Sequence, residues 1–153
     1  MTTTSARSPT AHSRCTVYTD GGARGNPGPA AAGGVILAGD GTVLEEVSEF
    51  LGTATNNVAE YRALVLTLRR AIDIGCTHVD VKMDSELVVK QLNGQYRVKD
   101  DKMIPLHAEA RRLLATFEAK SVQHVSREAN KHADKLVNAV LDAHAASLRE
   151  RAL

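Results

Sequence analysis

Four acidic residues stand where apolar runs give way to turns or helical patterns. Asp20 closes the stretch CTVYTD ahead of a Gly- and Pro-rich turn, and Asp84 closes the alternating stretch HVDVKMD. Glu60 and Asp134 each fall in the first turn of a helical pattern. Hard divalent cations take oxygen ligands from rigid elements, and four such carboxylates brought together would build a site for two Mg²⁺ ions. A covalent nucleophile is not legible, because neither Cys15 nor Cys76 sits near a partner histidine in any motif.

Each carboxylate also has an ordinary structural explanation. Asp20-Gly21-Gly22 is a common turn sequence, and Asn57-Val58-Ala59-Glu60 matches a capping box in which Glu60 would reach back to the cap amide. Asp84 would serve as a cap for the helix beginning at Ser85. Asp134, beside Lys131 and Lys135, would serve as a solvated carboxylate at a helix N-terminus. Spacing alone does not choose between these readings.

The elements that must position them follow from periodicity. CTVYTD, AAAGGVILAG and TVLEEVSEFLG read as strands, and Asp40-Gly41 between the last two signals a hairpin, so the first three strands form an antiparallel meander. In residues 57–75, Tyr61, Leu64, Val65, Leu68 and Ile72 share one helical face and Gly75 is a stop. HVDVKMD is a short strand, SELVVKQLNG starts a helix that Gly94 ends, and residues 104–117 form another with Pro105 in its first turn. SVQHVS is the last strand. From Asn130 onward, Ala133, Leu136, Val137, Val140 and Leu141 mark a long amphipathic helix. The order β-β-β-α-β-α-α-β-α specifies an α/β mixed sheet flanked by helices.

Composition narrows the class further. At 153 residues and 43% hydrophobic the chain suits one domain, set at residues 15–148 between a disordered lead-in at 1–14 and a tail at 149–153. Aromatics make up 3% with no Trp, which argues against stacking platforms for single strands and leaves a duplex read by its backbone. The net charge of +1 is uninformative, since clustered carboxylates would cancel basic residues elsewhere. Cys15 and Cys76 show neither paired nor metal-type spacing, and no apolar run is long enough for a signal peptide or membrane helix. The expectation is a cytoplasmic protein with reduced cysteines, no membrane association and a monomeric state.

The local sequences around the carboxylates resemble type 1 ribonuclease H. TDGGARGNPGPAAAGGVI is similar to its opening motif, TNNVAEYRAL to its second, MDSEL to its third and NKHADKLVN to its fourth, in the family's order over about residues 15–143. The resemblance implies a ribonuclease H-like fold with a five-stranded mixed sheet. It further implies that Asp20, Glu60, Asp84 and Asp134 converge on two Mg²⁺ ions, with Mn²⁺ as an alternative. One ion would activate the water that attacks phosphorus in line and the other would stabilise the leaving 3′ oxygen, giving 5′-phosphate and 3′-hydroxyl ends. The implied partner is an RNA–DNA hybrid whose RNA strand is cut. Asn26, Asn56 and Asn57 match positions that reach into its minor groove, Glu60 also accepts from a ribose 2′-hydroxyl, and Thr55 matches a residue that grips a DNA phosphate. Short amides suit this task, because A-like duplexes expose 2′-hydroxyls in a wide, shallow minor groove.

Two departures from the pattern stand out. The loop before the fourth motif is the short SREAN, without the histidine many members carry there; Arg127 is the candidate for its role, with a solvated arginine as the alternative, while His124 reads as a strand residue and His132 as a helical one. In place of a basic, Trp-bearing protrusion stands NGQYRVKDDKMIPL, with Arg97, Lys99 and Lys102 set against Asp100 and Asp101, so hybrid binding is expected to be weaker or more salt-sensitive. Rival readings are a nuclease of the same fold acting on double-stranded RNA or a DNA junction, and a non-catalytic hybrid-binding module.

Overall fold

The computed structural model describes residues 13–153. Strand β1 (Arg14–Ala23) pairs antiparallel with β2 (Gly28–Ala38), which pairs antiparallel with β3 (Val43–Ala54). Helix α1 (Asn56–Asp73) crosses to β4 (His78–Met83), which lies parallel to β1. Helices α2 (Glu86–Leu92) and α3 (Ile104–Ala115) lead to β5 (Ala119–His124), parallel to β4, and a single 3-10 turn (Glu128–Asn130) runs into α4 (Lys131–Ala152). The sheet order is β3-β2-β1-β4-β5, the five-stranded mixed sheet expected from the sequence.

The β2–β3 turn closes as its residues require. The Gly41 N–H donates to the Ala38 carbonyl at 2.9 Å, Gly41 takes φ +90°, and the Asp40 carboxylate accepts from the Thr42 N–H at 2.9 Å. Strand β2 is covered on both faces, and its run of small residues explains how. A Cβ added at Gly34 would lie 1.9 Å from Thr67 Oγ1 of α1, and one at Gly33 would lie 2.9 Å from the Ala133 carbonyl of α4. Both helices therefore rest directly on the strand backbone.

The larger core fills the α1 side of the sheet. Val17, Ile36, Val79, Val81 and Met83 from the strands meet Tyr61, Leu64 and Leu68 of α1, with Leu113 and Leu114 of α3 and Phe117 closing it. Its aliphatic character follows from the scarcity of aromatics, and the Tyr61 hydroxyl is satisfied by Gln91 Oε1 at 2.6 Å. The other side is thinner: Ala31 packs against Val137, Leu141 and Val140 of α4. Of the α1 face read from periodicity, Tyr61, Leu64, Val65 and Leu68 are buried and Ile72 is half-buried.

Several expectations change. Residues 1–12 of the lead-in lie outside the described residues, and Arg14 already belongs to β1. Helix α4 continues to Ala152, so residues 149–152 extend it rather than form a tail. Strand β5 begins at Ala119, two residues before SVQHVS. The larger correction concerns the cysteines. Cys15 and Cys76 form a disulfide, with their Cα atoms 5.9 Å apart. They are 61 positions apart in sequence, but the crossover through α1 returns the chain beside the start of β1, where Cys15 pairs with Val79. The inference of reduced cysteines, and the cytoplasmic setting drawn from it, thus lose their basis. Among the described residues no helix is long and apolar enough to cross a membrane.

A cross-link closing so long a loop restricts the unfolded chain, by about 4 kcal/mol in the chain-entropy treatment. Reduction, or Cys15→Ser with Cys76→Ser, is expected to lower the unfolding midpoint in guanidinium by a corresponding amount. An unchanged midpoint, together with two titratable thiols in the untreated denatured protein, would show that the bond does not form.

Candidate active site

The four carboxylates come from four elements that meet at the C-terminal ends of β1 and β4. Asp20, Glu60 and Asp84 each bring a carboxylate oxygen within 4.8 Å of the others. Asp134, in the first turn of α4, forms the facing wall and shares a hydrogen bond with the Asp20 carboxyl. With Gly21, Gly22, Ala23, Arg24, Asn56, Arg127 and Asn138 they line an open cleft of about 350 Å³.

The ordinary explanations for Glu60 and Asp84 fail on the structure. Helix α1 is capped by Thr55, whose hydroxyl accepts from the Val58 N–H at 3.2 Å, and Glu60 Oε1 instead accepts from the Gly21 N–H at 3.0 Å across to β1. The cap of α2 is Ser85, accepting from the Val88 N–H at 3.3 Å, which leaves Asp84 free to face the cleft. The approach of β1 to α1 is the tightest in the site. A Cβ at Gly21 would fall 2.1 Å from the Ala59 carbonyl oxygen, so only glycine lets Asp20 and Glu60 stand side by side.

This packing concentrates negative charge in a low-dielectric place. Asp20 and Glu60 are each 8% exposed. Burial, then the charges of Asp84 and Asp134, push the Asp20 carboxyl up to about 8. Burial, then Asp20 and Asp84, hold Glu60 well above the usual carboxylate range, with the Gly21 N–H and the Arg127 guanidinium acting against the rise. The arrangement lacks enough positive charge of its own. Hard oxygen donors in such surplus fit a divalent cation, which would supply the missing charge.

The residues expected from the sequence to meet the substrate divide into two groups. Asn26 and Asn56 knit the β1–β2 turn to α1: the Asn56 N–H donates to Asn26 Oδ1 at 3.0 Å, and the Ala23 N–H donates to Asn56 Oδ1 at 2.8 Å. Asn56 lines the cleft, whereas Thr55 opens onto a neighbouring groove with Pro27, Val58, Arg62, Lys102 and Leu106. Asn57 is half-buried at the start of α1. Sequence reasoning missed the Gly21 N–H, the Asn138 amide on the Asp134 carboxylate at 3.2 Å, and the fully buried Asn130. Asn130 donates to the Thr19 carbonyl at 2.9 Å and so ties the start of α4 to the residue before Asp20. The signal available was the polar residue itself: Asn130 opens an apolar-faced helix, and Asn138 lies four positions after Asp134.

A family model described as reverse transcriptase-like matches residues 18–140. A curated ribonuclease HI of Halobacterium salinarum is 44% identical over 129 residues, which cover 84% of this chain and 65% of that protein. The solved N-terminal RNase H domain of Rv2228c from Mycobacterium tuberculosis, a fusion with maltose-binding protein, superposes with a TM-score of 0.85 at 43% identity, over 88% of this chain and 98% of that one. The chain belongs to the ribonuclease HI family. LC11-RNase H1, crystallised with an RNA/DNA hybrid, gives a TM-score of 0.81 at 41% identity, over 85% of this chain and 98% of that one. This ribonuclease HI-like chain spans 65% of the length of the Halobacterium protein and 36% of the bifunctional protein Rv2228c. Ribonucleases H are metal-dependent, and the acidic cluster fits that dependence.

The raised Asp20 carboxyl makes the metal-free fold sensitive to pH. Between its ordinary value near 4 and about 8 the folded protein keeps a proton that the unfolded chain has lost, so stability falls as pH rises through that window. Without divalent ions, Asp20→Asn is expected to be more stable than the wild type at pH 8, on the order of 2 kcal/mol, with the gap shrinking toward pH 4. Chemical denaturation in EDTA at both pH values measures it, and a gap of the opposite sign would show that Asp20 is ionised without penalty.

Proposed function

We propose that this chain is an endonuclease that hydrolyses the RNA strand of RNA–DNA hybrids and leaves 5′-phosphate and 3′-hydroxyl ends. The observation that carries the reading is the convergence of Asp20, Glu60 and Asp84, from three separate elements, with their oxygens within 4.8 Å in a site that burial leaves short of positive charge. Asp20, Glu60, Asp84 and Asp134 would hold two Mg²⁺ ions, with Mn²⁺ as an alternative. When bound, such ions lower the pKa of a water and neutralise charge on the scissile phosphate.

The remaining work falls to the chain itself. Gly21 fixes Glu60 beside Asp20 through its N–H, and the tie from Asn130 to Thr19 keeps Asp134 at a set distance from both. Asn26 and Asn56, already bonded into one rigid unit, present a polar rim to the minor groove, joined by Asn57. Thr55 faces the groove suited to a DNA-strand phosphate, where the Arg62 and Lys102 side chains supply cations. Glu60 accepts from a ribose 2′-hydroxyl, the group that separates ribose from deoxyribose. Arg127 stands at the cleft with its charge acting on Glu60, where it takes the part of the absent loop histidine. In the reaction the water oxygen bonds to phosphorus, the P–O3′ bond breaks, and the 3′ oxygen ends protonated. The protein acts as a monomer on this reading.

An end-labelled hybrid incubated with Mg²⁺ is expected to lose its RNA strand, and EDTA is expected to stop the cutting. Asp84→Asn keeps the shape while removing one charge, and is expected to lower the rate about 100-fold or more. Duplex DNA, a four-way junction and double-stranded RNA run beside it discriminate the same-fold alternatives. Binding of the hybrid without cutting in either Mg²⁺ or Mn²⁺ would leave the binding-module reading standing. The small positive charge of residues 95–102 further predicts weak hybrid binding with a shallow dependence of activity on salt, and a slope as steep as that of a relative bearing the basic protrusion would count against it.

A further inference from the structure

Asp134 differs from the other site carboxylates. It is exposed, whereas Asp20 and Glu60 are buried and Asp84 is half-buried, so packing does little to fix its orientation. Besides the hydrogen bond it shares with the Asp20 carboxyl, its carboxylate is met by a polar chain at the cleft. Asn138, one helical turn along α4, donates from Nδ2 to Asp134 Oδ2 at 3.2 Å and to the Asp134 carbonyl at 3.1 Å. Arg24, in the turn after β1, donates from Nη2 to Asn138 Oδ1 at 3.3 Å and to Asp142 Oδ1 at 2.7 Å.

The direction of these bonds carries the argument. An amide side chain has one accepting end and one donating end, while a guanidinium only donates. With Arg24 on one side, the carbonyl end of Asn138 must face Arg24, and the amino end is left for Asp134. Asp142 supplies the counter-charge that keeps Arg24 at this post and away from the carboxylate cluster. Asp134, Asn138 and Asp142 are spaced four apart, so one stripe of α4 presents all three to a single arginine. An asparagine is a poor helix former in mid-helix, where alanine would serve the fold better, which is consistent with selection of its side chain for this contact.

We propose that Asn138 is a positioning residue that orients the Asp134 carboxylate toward the metal site, and that Arg24, held by Asp142, fixes which way the Asn138 amide points. The inference rests on the reading of Asp134 as a carboxylate of the metal site.

The test uses the full chain and its Asn138→Ala, Arg24→Ala, Asp142→Asn and Arg24→Ala/Asn138→Ala variants. Calorimetric titration of the metal-free proteins with Mn²⁺ runs beside kcat and KM on a hybrid. Groups that orient metal ligands typically matter by 10- to 100-fold. Asn138→Ala and Arg24→Ala are therefore each expected to weaken Mn²⁺ binding about tenfold and to lower kcat, with KM for the hybrid within about twofold of wild type. The double variant is expected to lose no more than Asn138→Ala alone, because both residues act through one contact. Asp142→Asn, at the far end of the chain of bonds, is expected to shift both readouts the same way by less, and it keeps the result readable if a truncation perturbs the fold. Arg24→Ala that raises KM while leaving kcat and Mn²⁺ binding alone would make Arg24 a contact to the hybrid and overturn the proposal. Losses that multiply in the double variant, or an Asn138→Ala protein with wild-type Mn²⁺ binding, would also overturn it. Because the calorimetry needs no turnover, a wild type that fails to cut the hybrid would count against the function proposed above without hiding the outcome here.

Discussion

The contact between Gly21 and the backbone of Ala59 governs the geometry of the whole site. At that crossing β1 and α1 are closer than any side chain permits, since a Cβ would lie 2.1 Å from the Ala59 carbonyl oxygen. The closeness places the Gly21 N–H on Glu60 Oε1 and brings Glu60 beside Asp20, two carboxylates in a place where water is largely excluded. Small residues at Gly33 and Gly34 extend the same device, seating α4 and α1 directly on β2. Glycine is chosen at Gly21 for the space it leaves, and the cost in backbone entropy is met by the packing around it.

Charge concentrated in this way works against the fold until something offsets it. Burial and mutual repulsion raise both Asp20 and Glu60, and Arg127 is the cation whose charge acts on Glu60. Arg24, the other arginine lining the cleft, is engaged elsewhere, held by Asp142. A site built this way would bind a divalent ion with much of the electrostatic work already done, because strand and helix packing bring the carboxylates together without it. The penalty carried by the metal-free fold and the affinity for the ion are two sides of one arrangement.

How far the sequence made this legible depends on whether the deciding contact was local. The strands, the Asp40-Gly41 hairpin, the apolar face of α1 and the meander followed by crossovers were all readable, because periodicity and turn chemistry act over a few residues. The carboxylates were readable as types at strand ends and helix starts, yet Asp20-Gly21-Gly22 looked like any turn, and it took the neighbouring motifs to bring the four together. What escaped was long-range. Cys15 and Cys76 looked unrelated until α1 folded back, and the capping box at Asn57 to Glu60 was a plausible local bond that lost to a tertiary one with Gly21. Thr55, one residue ahead of the Asn pair, takes the cap instead and frees Asn56 to hold the β1–β2 turn.

The same distinction explains why polar residues, rather than apolar ones, carry the information that a pattern reading misses. An apolar side chain on a helix face has many acceptable neighbours, so its periodicity predicts burial without specifying a partner. A buried or cleft-facing amide has few, and its partners fix both position and direction. Asn130 is buried to no measurable exposure and spends its donor on the Thr19 carbonyl, so the N-terminus of α4 is registered against β1 to within a bond length. Apolar contacts of Val137 and Leu141 with Ala31 hold the helix against the sheet, but they would tolerate a slide along it. The slide is what Asn130 opposes, and Asp134 sits one turn beyond it. Placement of the fourth carboxylate thus rests on hydrogen-bond direction more than on core volume.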